Sequence, residues 1–325
     1  MIDAVGHYAP PNIITNFDLE RKVQTSDEWI RTRSGIRQRH IASEHEAASD
    51  LALRAVEQAI KNSNTTKIKD IEMIIVGTVT ADHLFPSTAC ILQKKLGLKD
   101  IPAFDLSAGC SGFLYALDMA KQYLENGIYK TILVVGVEVL SRVLNWEDRT
   151  TCVLFGDGSG AAIVKRAPHN CISRVIASTI TADASEWELL TQKAGGSRLP
   201  ASRDTIQQNL HTVWMEGNKI FKLAVKAMST ITAELLKKND LSVKDLDWII
   251  PHQANIRIIE AVAEKLNIPM NRVVVTIDRY ANTSAASIPT ALSYAVQNNI
   301  IKRGDLVGLT AFGAGLTFGS CIIRY

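Results

Sequence analysis

The chain has 325 residues, of which 46% are hydrophobic and 21% charged, enough apolar material for one large domain or two smaller ones. A formal net charge of +3 argues against wholesale coating of nucleic acid and leaves room for a local basic patch. No apolar run approaches membrane-spanning length, and the start, MIDAVGHYAPPNII, lacks the pattern of a secretion signal, so a cytoplasmic location without membrane association is expected.

In chain order, short Val/Ile-rich runs predict buried strands at Ile71–Gly77, Thr131–Val137, Gly160–Lys165, Trp248–Ile250, Arg272–Ile277, Leu306–Thr310 and Ser320–Arg324. Helical patterns fall between them at Ser49–Lys61, Cys110–Asn126, Lys219–Lys238, Arg257–Leu266 and Ser284–Asn298. Strands alternating with helices imply an α/β fold with mainly parallel sheets. The few residues before Gly6 lead us to expect a shortened first strand.

The two halves resemble each other. Lys69–Ile75 (KDIEMII) aligns with Lys244–Ile250 (KDLDWII), and the turn holding Cys110 aligns with the turn holding Asn282 and Thr283, at offsets of about 175 residues. Each half ends on a glycine-rich turn entering a strand, Phe155–Gly158 and Phe312–Gly315. An internal duplication follows, with halves at 1–168 and 169–325. Packing two copies together would bring the equivalent turns of Cys110 and Asn282 near each other.

Cys110 lies among small residues at the start of a helix, where free N–H groups and the helix dipole favour thiolate, the nucleophilic form. Taken alone it also fits a buried structural cysteine, the reading kept for Cys90, Cys152, Cys171 and Cys321. Five widely spaced cysteines without a C-x-x-C pair suit neither a disulfide framework nor a zinc site, and a reducing compartment fits them. His252 leaves the C-terminal end of an apolar strand, where α/β folds place ligand-binding groups. The alternative is a structural or solvated histidine, the reading kept for His7, His40, His45, His83, His169 and His211. Asn282 begins another small-residue turn and fits a helix N-cap as well as a site residue.

The segments SAGCSGF (107–113), GDGSGAAIV (156–164), PHQANIR (251–257), NTSAAS (282–287) and FGAGLTFGS (312–320) are similar to those of the 3-oxoacyl-acyl-carrier-protein synthase III family. The resemblance extends through TSDEWIRTRSGIRQRHIA (25–42) and NWEDRTTCVLFGD (145–157), covers nearly the whole chain, and keeps the family's order. It implies the thiolase fold, two duplicated βαβαβαββ halves in a layered αβαβα arrangement. It also implies the catalytic trio Cys110, His252 and Asn282, with the N–H groups of Cys110 and Ala314 as oxyanion hole.

The implied reaction is transfer of an acyl group, acetyl first among them, from acyl-CoA to Cys110. Condensation with malonyl-acyl-carrier-protein and loss of carbon dioxide would follow, without a bound cofactor or metal. Carried over residue by residue, Trp29 and Arg149 would flank the CoA adenine, Arg33 would meet a phosphate, and Asn218 and Asn255 would bond the pantetheine arm. The acidic carrier protein would dock on Gln253, Ala254, Asn255, Ile256 and Arg257, with Lys222 nearby. Phe85 would cross the interface of a homodimer to close the partner's acyl pocket.

Departures from the family pattern are Ala281, where a glycine is usual, and Ala314, where only the N–H is needed. Three other readings stand beside this one. They are a thiolase-fold relative taking a longer or branched acyl-CoA starter in secondary metabolism, a Cys-His-Asn hydrolase, and a carrier-binding partner without activity. The hydrolase lacks its cysteine signature here, and an inactive partner has no need of Cys110.

Overall fold

Nine strands build two sheets of matching design. A computed structural model describes residues 1–168 and 171–325, so the expected boundary at 168/169, and His169 with it, lie outside the described residues. The first sheet holds β1 (Ile2–Tyr8), β2 (Met73–Gly77), β3 (Ala103–Leu106), β4 (Thr131–Glu138) and β5 (Gly158–Lys165), in the order β1-β5-β4-β2-β3. The second holds β6 (Arg174–Ala182), β7 (Trp248–Pro251), β8 (Leu306–Gly313) and β9 (Thr317–Arg324), in the order β6-β9-β8-β7.

In each sheet two antiparallel pairings are followed by a parallel one, and β2 pairs onward with β3 in parallel. The equivalent of β3 in the second half is the expected strand at Arg272–Ile277, and it is not a strand. It makes a single parallel bridge, Ile249 to Val273. Its Val/Ile content is right, but the Gln253 side chain takes over its backbone: Nε2 donates to the Val274 carbonyl at 3.2 Å, and Oε1 accepts from Thr276 N at 2.8 Å. An amide side chain thus does what a neighbouring strand would do.

Seven helices complete the layers: α1 (Asp27–Ser34), α2 (Ala48–Asn62), α3 (Thr88–Lys95), α4 (Gly112–Glu125), α5 (Gly217–Lys238), α6 (Ile256–Lys265) and α7 (Ser287–Gln297). The sheets are buried on both faces, which explains why their strands read as continuous apolar runs. On β4, Val134 faces the central layer with Phe113, Leu117, Leu292 and Leu309, while Leu133 and Val135 face outward onto Leu51, Ala55 and Val56 of α2. On the far side Met228, Leu235, Ile258 and Val262 of α5 and α6 cover Ile249, Leu306 and Ile322.

The order is therefore helix, sheet, helix, sheet, helix, with α4 and α7 in the middle. The first strand has seven residues and pairs with β5 from Ile2 to Tyr8. Strand β6, RVIASTITA, was not expected, because its serines and threonines interrupt the apolar pattern.

Candidate active site

The parallel strands β2, β3, β7 and β8 deliver their C-terminal ends to one region, where α/β sheets bind ligands. After β3 the chain makes a tight turn over Gly109–Ser111 and enters α4 at Gly112, so Cys110 stands just before the helix rather than within it. Gly109 adopts φ +51°, and a Cβ there would lie 2.5 Å from Ala314 N. Only glycine lets the Cys110 turn press against the glycine-rich turn after β8. The backbones of Cys110 and Ala314 are brought together in this way.

His252 follows β7 and is buried. Its Nδ1 lies 2.7 Å from Ser287 Oγ, and that oxygen also receives the Gln253 N–H at 3.4 Å. In the tautomer whose Nδ1 accepts the Ser287 hydroxyl proton, Nε2–H is a donor toward the cavity. Burial lowers the His252 pKa to about 3, so the imidazole is neutral at physiological pH.

Asn282 accepts the Ser284 N–H on Oδ1 at 2.9 Å. That contact fixes which end of the amide faces inward and turns Nδ2 outward as a donor. The expected N-cap role is not taken: the contact closes a local turn two residues on, and Thr283 precedes the short helical turn at Ser284–Ala286.

Burial pushes the Cys110 thiol up to about 12; hydrogen bonding from Ser284 and from its own N–H pulls it down, while the Glu138 carboxylate adds to the rise. Burial thus works against the helix end, whose N–H groups favour the thiolate.

Cys110, His252 and Asn282 line one cavity of about 660 Å³. Its buried end holds the trio, and its exposed end holds Trp29, Arg33 and Arg149 on one side and Asn218, Lys222 and Arg257 on the other. Asn255 and Ala254 lie along the wall. Both guanidinium groups already stack on Trp29, with Cζ of Arg33 at 4.9 Å and of Arg149 at 5.1 Å from the ring centroid. Asn255 caps α6 by accepting the Ile258 N–H, which leaves its Nδ2 free for a ligand. Arg257 stacks over Phe221 at 5.7 Å.

A second cavity of about 420 Å³ shares Cys110 and is walled by Val79, Leu140, Val143, Phe155, Leu190, Val213 and Ala314. Its lining is mostly apolar.

One expected contact is placed otherwise. Gln253 is 1% exposed and spends its amide on Pro251, Val274 and Thr276, so it cannot meet a carrier protein. Ile256 is half-buried and packs with the outer core of the second half. Phe85 is 86% exposed and lines neither cavity of the single chain. The sequence reading missed Ser287, which orients His252, and the pair Ser284 and Glu138 behind Cys110. The one signal available was an acidic residue ending an eight-residue apolar strand.

Family models described as 3-Oxoacyl-[acyl-carrier-protein (ACP)] synthase III and as its C-terminal part match residues 104–184 and 236–325. A beta-ketoacyl-[acyl-carrier-protein] synthase III of Caldanaerobacter subterraneus is 50% identical over 98% of this chain and 96% of its own length. The chain belongs to the 3-oxoacyl-[acyl-carrier-protein] synthase III family.

It is accordingly an acyltransferase, a condensing enzyme that initiates fatty acid synthesis. The crystal structure of the Aquifex aeolicus family member superposes with a TM-score of 0.91 at 45% identity, covering 100% of this chain and 99% of that one. A priming beta-ketosynthase from the R1128 polyketide pathway superposes at 0.89 with 30% identity, covering 99% and 95%. The thiolase fold and its duplicated halves, expected from the motifs, are what these family structures share with the chain.

Proposed function

We propose that Cys110 accepts an acyl group from acyl-CoA and that the acyl-enzyme then condenses with malonyl-acyl-carrier-protein, giving 3-oxoacyl-carrier protein, CoA and carbon dioxide. The observation that carries this reading is the meeting of Cys110, His252 and Asn282 at the buried end of one cavity whose exposed end is aromatic and basic.

In the first half-reaction the Cys110 sulfur attacks the thioester carbonyl. The oxyanion sits between the N–H groups of Cys110 and Ala314, the C–S bond to CoA breaks, and CoA leaves. In the second, the malonyl carboxylate departs as carbon dioxide and its electrons enter the thioester carbonyl. His252 Nε2–H and Asn282 Nδ2 donate to the enolate oxygen. A neutral imidazole can do this without losing a proton, and an amide does it where a carboxylate would repel the enolate. Fixed donors of this kind are each worth roughly 3–4 kcal/mol. The carbanion attacks acyl-Cys110 and the sulfur is released.

CoA would enter past Trp29. Adenine stacking between Trp29 and Arg149 requires that guanidinium to swing off the ring, while Arg33 turns to a phosphate and Asn218 and Asn255 bond the pantetheine arm. The acidic carrier would meet Arg257 and Lys222, with Ala254, Asn255 and Ile256 beneath. A homodimer is supported by the open outer edge of β3 and by Leu84 and Phe85, both exposed above 80%; Phe85 of the partner subunit would then cap the acyl cavity. Residues 1–168 and 169–325 form the two duplicated units, and five free thiols suit a reducing cytoplasm.

Acetyl is the starter we propose. The apolar cavity of about 420 Å³ beyond Cys110 favours a second reading, a branched or longer acyl group. Intact-protein mass spectrometry after brief exposure to acetyl-CoA tests both, with Cys110→Ala as control. An acetyl adduct on wild type alone is the expected result. An adduct only from longer acyl-CoA changes the starter, and none from any acyl-CoA overturns the reading.

A further inference from the structure

Among the largest fully buried side chains is a charged one, Arg39, which lines neither cavity. It lies on a short strand, Gln38–Ile41, paired antiparallel with Asn12–Thr15 apart from both main sheets. Burial lowers its pKa to about 10, so the guanidinium is charged at physiological pH. It forms no ion pair among the described residues. A buried charge without a counter-ion is costly, and an apolar side chain would fill the space without that cost. What the guanidinium adds is three fixed bonds. Nη1 donates to the Ile14 carbonyl at 3.1 Å, and Nη2 donates to Asn16 Oδ1 at 2.9 Å and to the Val153 carbonyl at 3.0 Å.

The bond to Val153 leads to Asn282. The Leu154 carbonyl accepts the Asn282 N–H at 3.0 Å, and the Gly156 N–H donates to the Asn282 carbonyl at 3.0 Å. The opposite edge of this segment belongs to the Arg39 strand. There the Val153 carbonyl takes the guanidinium, and the Asp157 N–H donates to the His40 carbonyl at 2.8 Å. Gly156 fits closely between the two sides: a Cβ there would lie 3.1 Å from Arg39 Cβ and 3.0 Å from the Tyr280 carbonyl oxygen. Residues 153–157 thus form a narrow ribbon, bonded to Asn282 on one edge and to Arg39 and His40 on the other.

The remaining bonds of Arg39 lead elsewhere. Asn16 donates from Nδ2 to Asp27 Oδ1 at 2.9 Å and to the Ile36 carbonyl at 2.8 Å. Asp27 begins α1, the helix of Trp29 and Arg33. Both Asn16 bonds persist without the guanidinium, so the exposed end of the cavity keeps its anchor when Arg39 is replaced. The Val153 end of the ribbon loses its own.

We propose that Arg39 is a positioning residue for condensation, its bond to the Val153 carbonyl holding the ribbon that sets the Asn282 amide against the enolate. This rests on the acyl-transfer reading of the site. Misplacing a stabilising group by about 1 Å can cost roughly 10²-fold in rate. Asn282 serves the second half-reaction in that reading, so loss of Arg39 slows condensation and spares acylation.

The test separates the two half-reactions in the full-length protein. Arg39→Met takes an acetyl group from acetyl-CoA within about threefold of the wild-type rate, read by intact mass, while its acetyl-enzyme condenses with saturating malonyl-acyl-carrier-protein roughly 10- to 100-fold more slowly. In an Asn282→Ala background the same substitution costs less than about threefold, because the group it positions is gone. Equal slowing of both half-reactions overturns the proposal, and so do penalties that multiply in the double variant. Should Arg39→Met fold poorly, Arg39→Lys gives the same split, since an ammonium keeps the charge without the planar fork. Amide hydrogen exchange reads the link with no substrate present. The Gly156 and Asn282 N–H groups exchange faster in either variant while β4 is unchanged, and unaltered exchange at those two amides overturns the proposal. A wild type that takes no acyl group would fail the acyl-transfer reading, and the exchange result would still show whether Arg39 holds the Asn282 ribbon.

Discussion

The two turns that meet at the cavity occupy equivalent places in the duplicated halves and are built in opposite ways. Cys110 is reached from β3, whose four residues ladder in parallel onto β2, and its turn bends at Gly109. Asn282 is reached from a segment with a single bridge, held instead by the Gln253 side chain. Its turn bends at Ala281 and Ser284, with φ of +57° and +47°. The approach to the nucleophile is thus held by a strand ladder, and the approach to Asn282 by a side chain, with Asn282 itself tied through its backbone to Leu154 and Gly156. Side-chain substitutions should therefore disturb the second half more than the first.

The largest effect is expected at Asn282. Replacing it by Asp puts a negative charge where the enolate forms and slows condensation by roughly 10²–10³-fold, while acylation of Cys110, read by intact mass, proceeds. Equal loss of both steps would mean that Asn282 shapes the turn rather than the chemistry.

Gln253→Leu comes next. It strips partners from the Pro251 and Val274 carbonyls and the Thr276 N–H, so the unfolding free energy in urea should fall by about 3 kcal/mol. The Cys110 turn takes one such bond, from Thr317 Oγ1 to the Ala108 carbonyl at 2.7 Å.

Acid should act through one buried histidine in each half. His252 and His7 are held neutral by burial, near 3 and near 4, and both become ordinary imidazoles when the chain unfolds. Below about pH 6.5 the unfolded chain takes up protons that the folded one refuses, so stability is complete above that pH and is lost as pH falls toward 4. Each group contributes a slope approaching about 1.4 kcal/mol per pH unit. His252→Gln should remove one of the two slopes in a thermal-unfolding series from pH 7 to 4.5.

The smallest effect sharpens the contrast most directly. Ala281 pairs φ +57° with ψ −162°, a region suited to glycine, and is buried. Ala281→Gly relieves that strain and should raise stability by about 1 kcal/mol. Gly109→Ala, its counterpart in the first half, places a methyl 2.5 Å from Ala314 N and should lower it.

Legibility follows the same division. Strands β4 and β8 stood out because both faces are buried, and α2 because its apolar residues recur at helical spacing. The false strand at Arg272–Ile277 has a strand's composition, and what cancels it is one amide contributed from just after β7. Cys110, His252 and Asn282 could be read from their motifs, since each sits in a distinctive run of small or polar residues. Ser287 and Ser284 could not, because a serine in NTSAAS looks the same whether its hydroxyl faces an imidazole, a carboxyl group or water. The thiol's raised pKa was likewise hidden: a helix start is visible in sequence, and the depth at which it lies is not.

The middle layer bears on how such a chain could be divided. Helix α4 belongs to the first half and α7 to the second, yet Phe113, Leu117 and Leu292 lie in one interior with residues of both sheets. Neither half keeps its apolar slab covered when the other is absent. Residues 1–168 and 171–325, expressed as separate polypeptides, should each be aggregation-prone alone and should recover a folded, acylatable pair when refolded together.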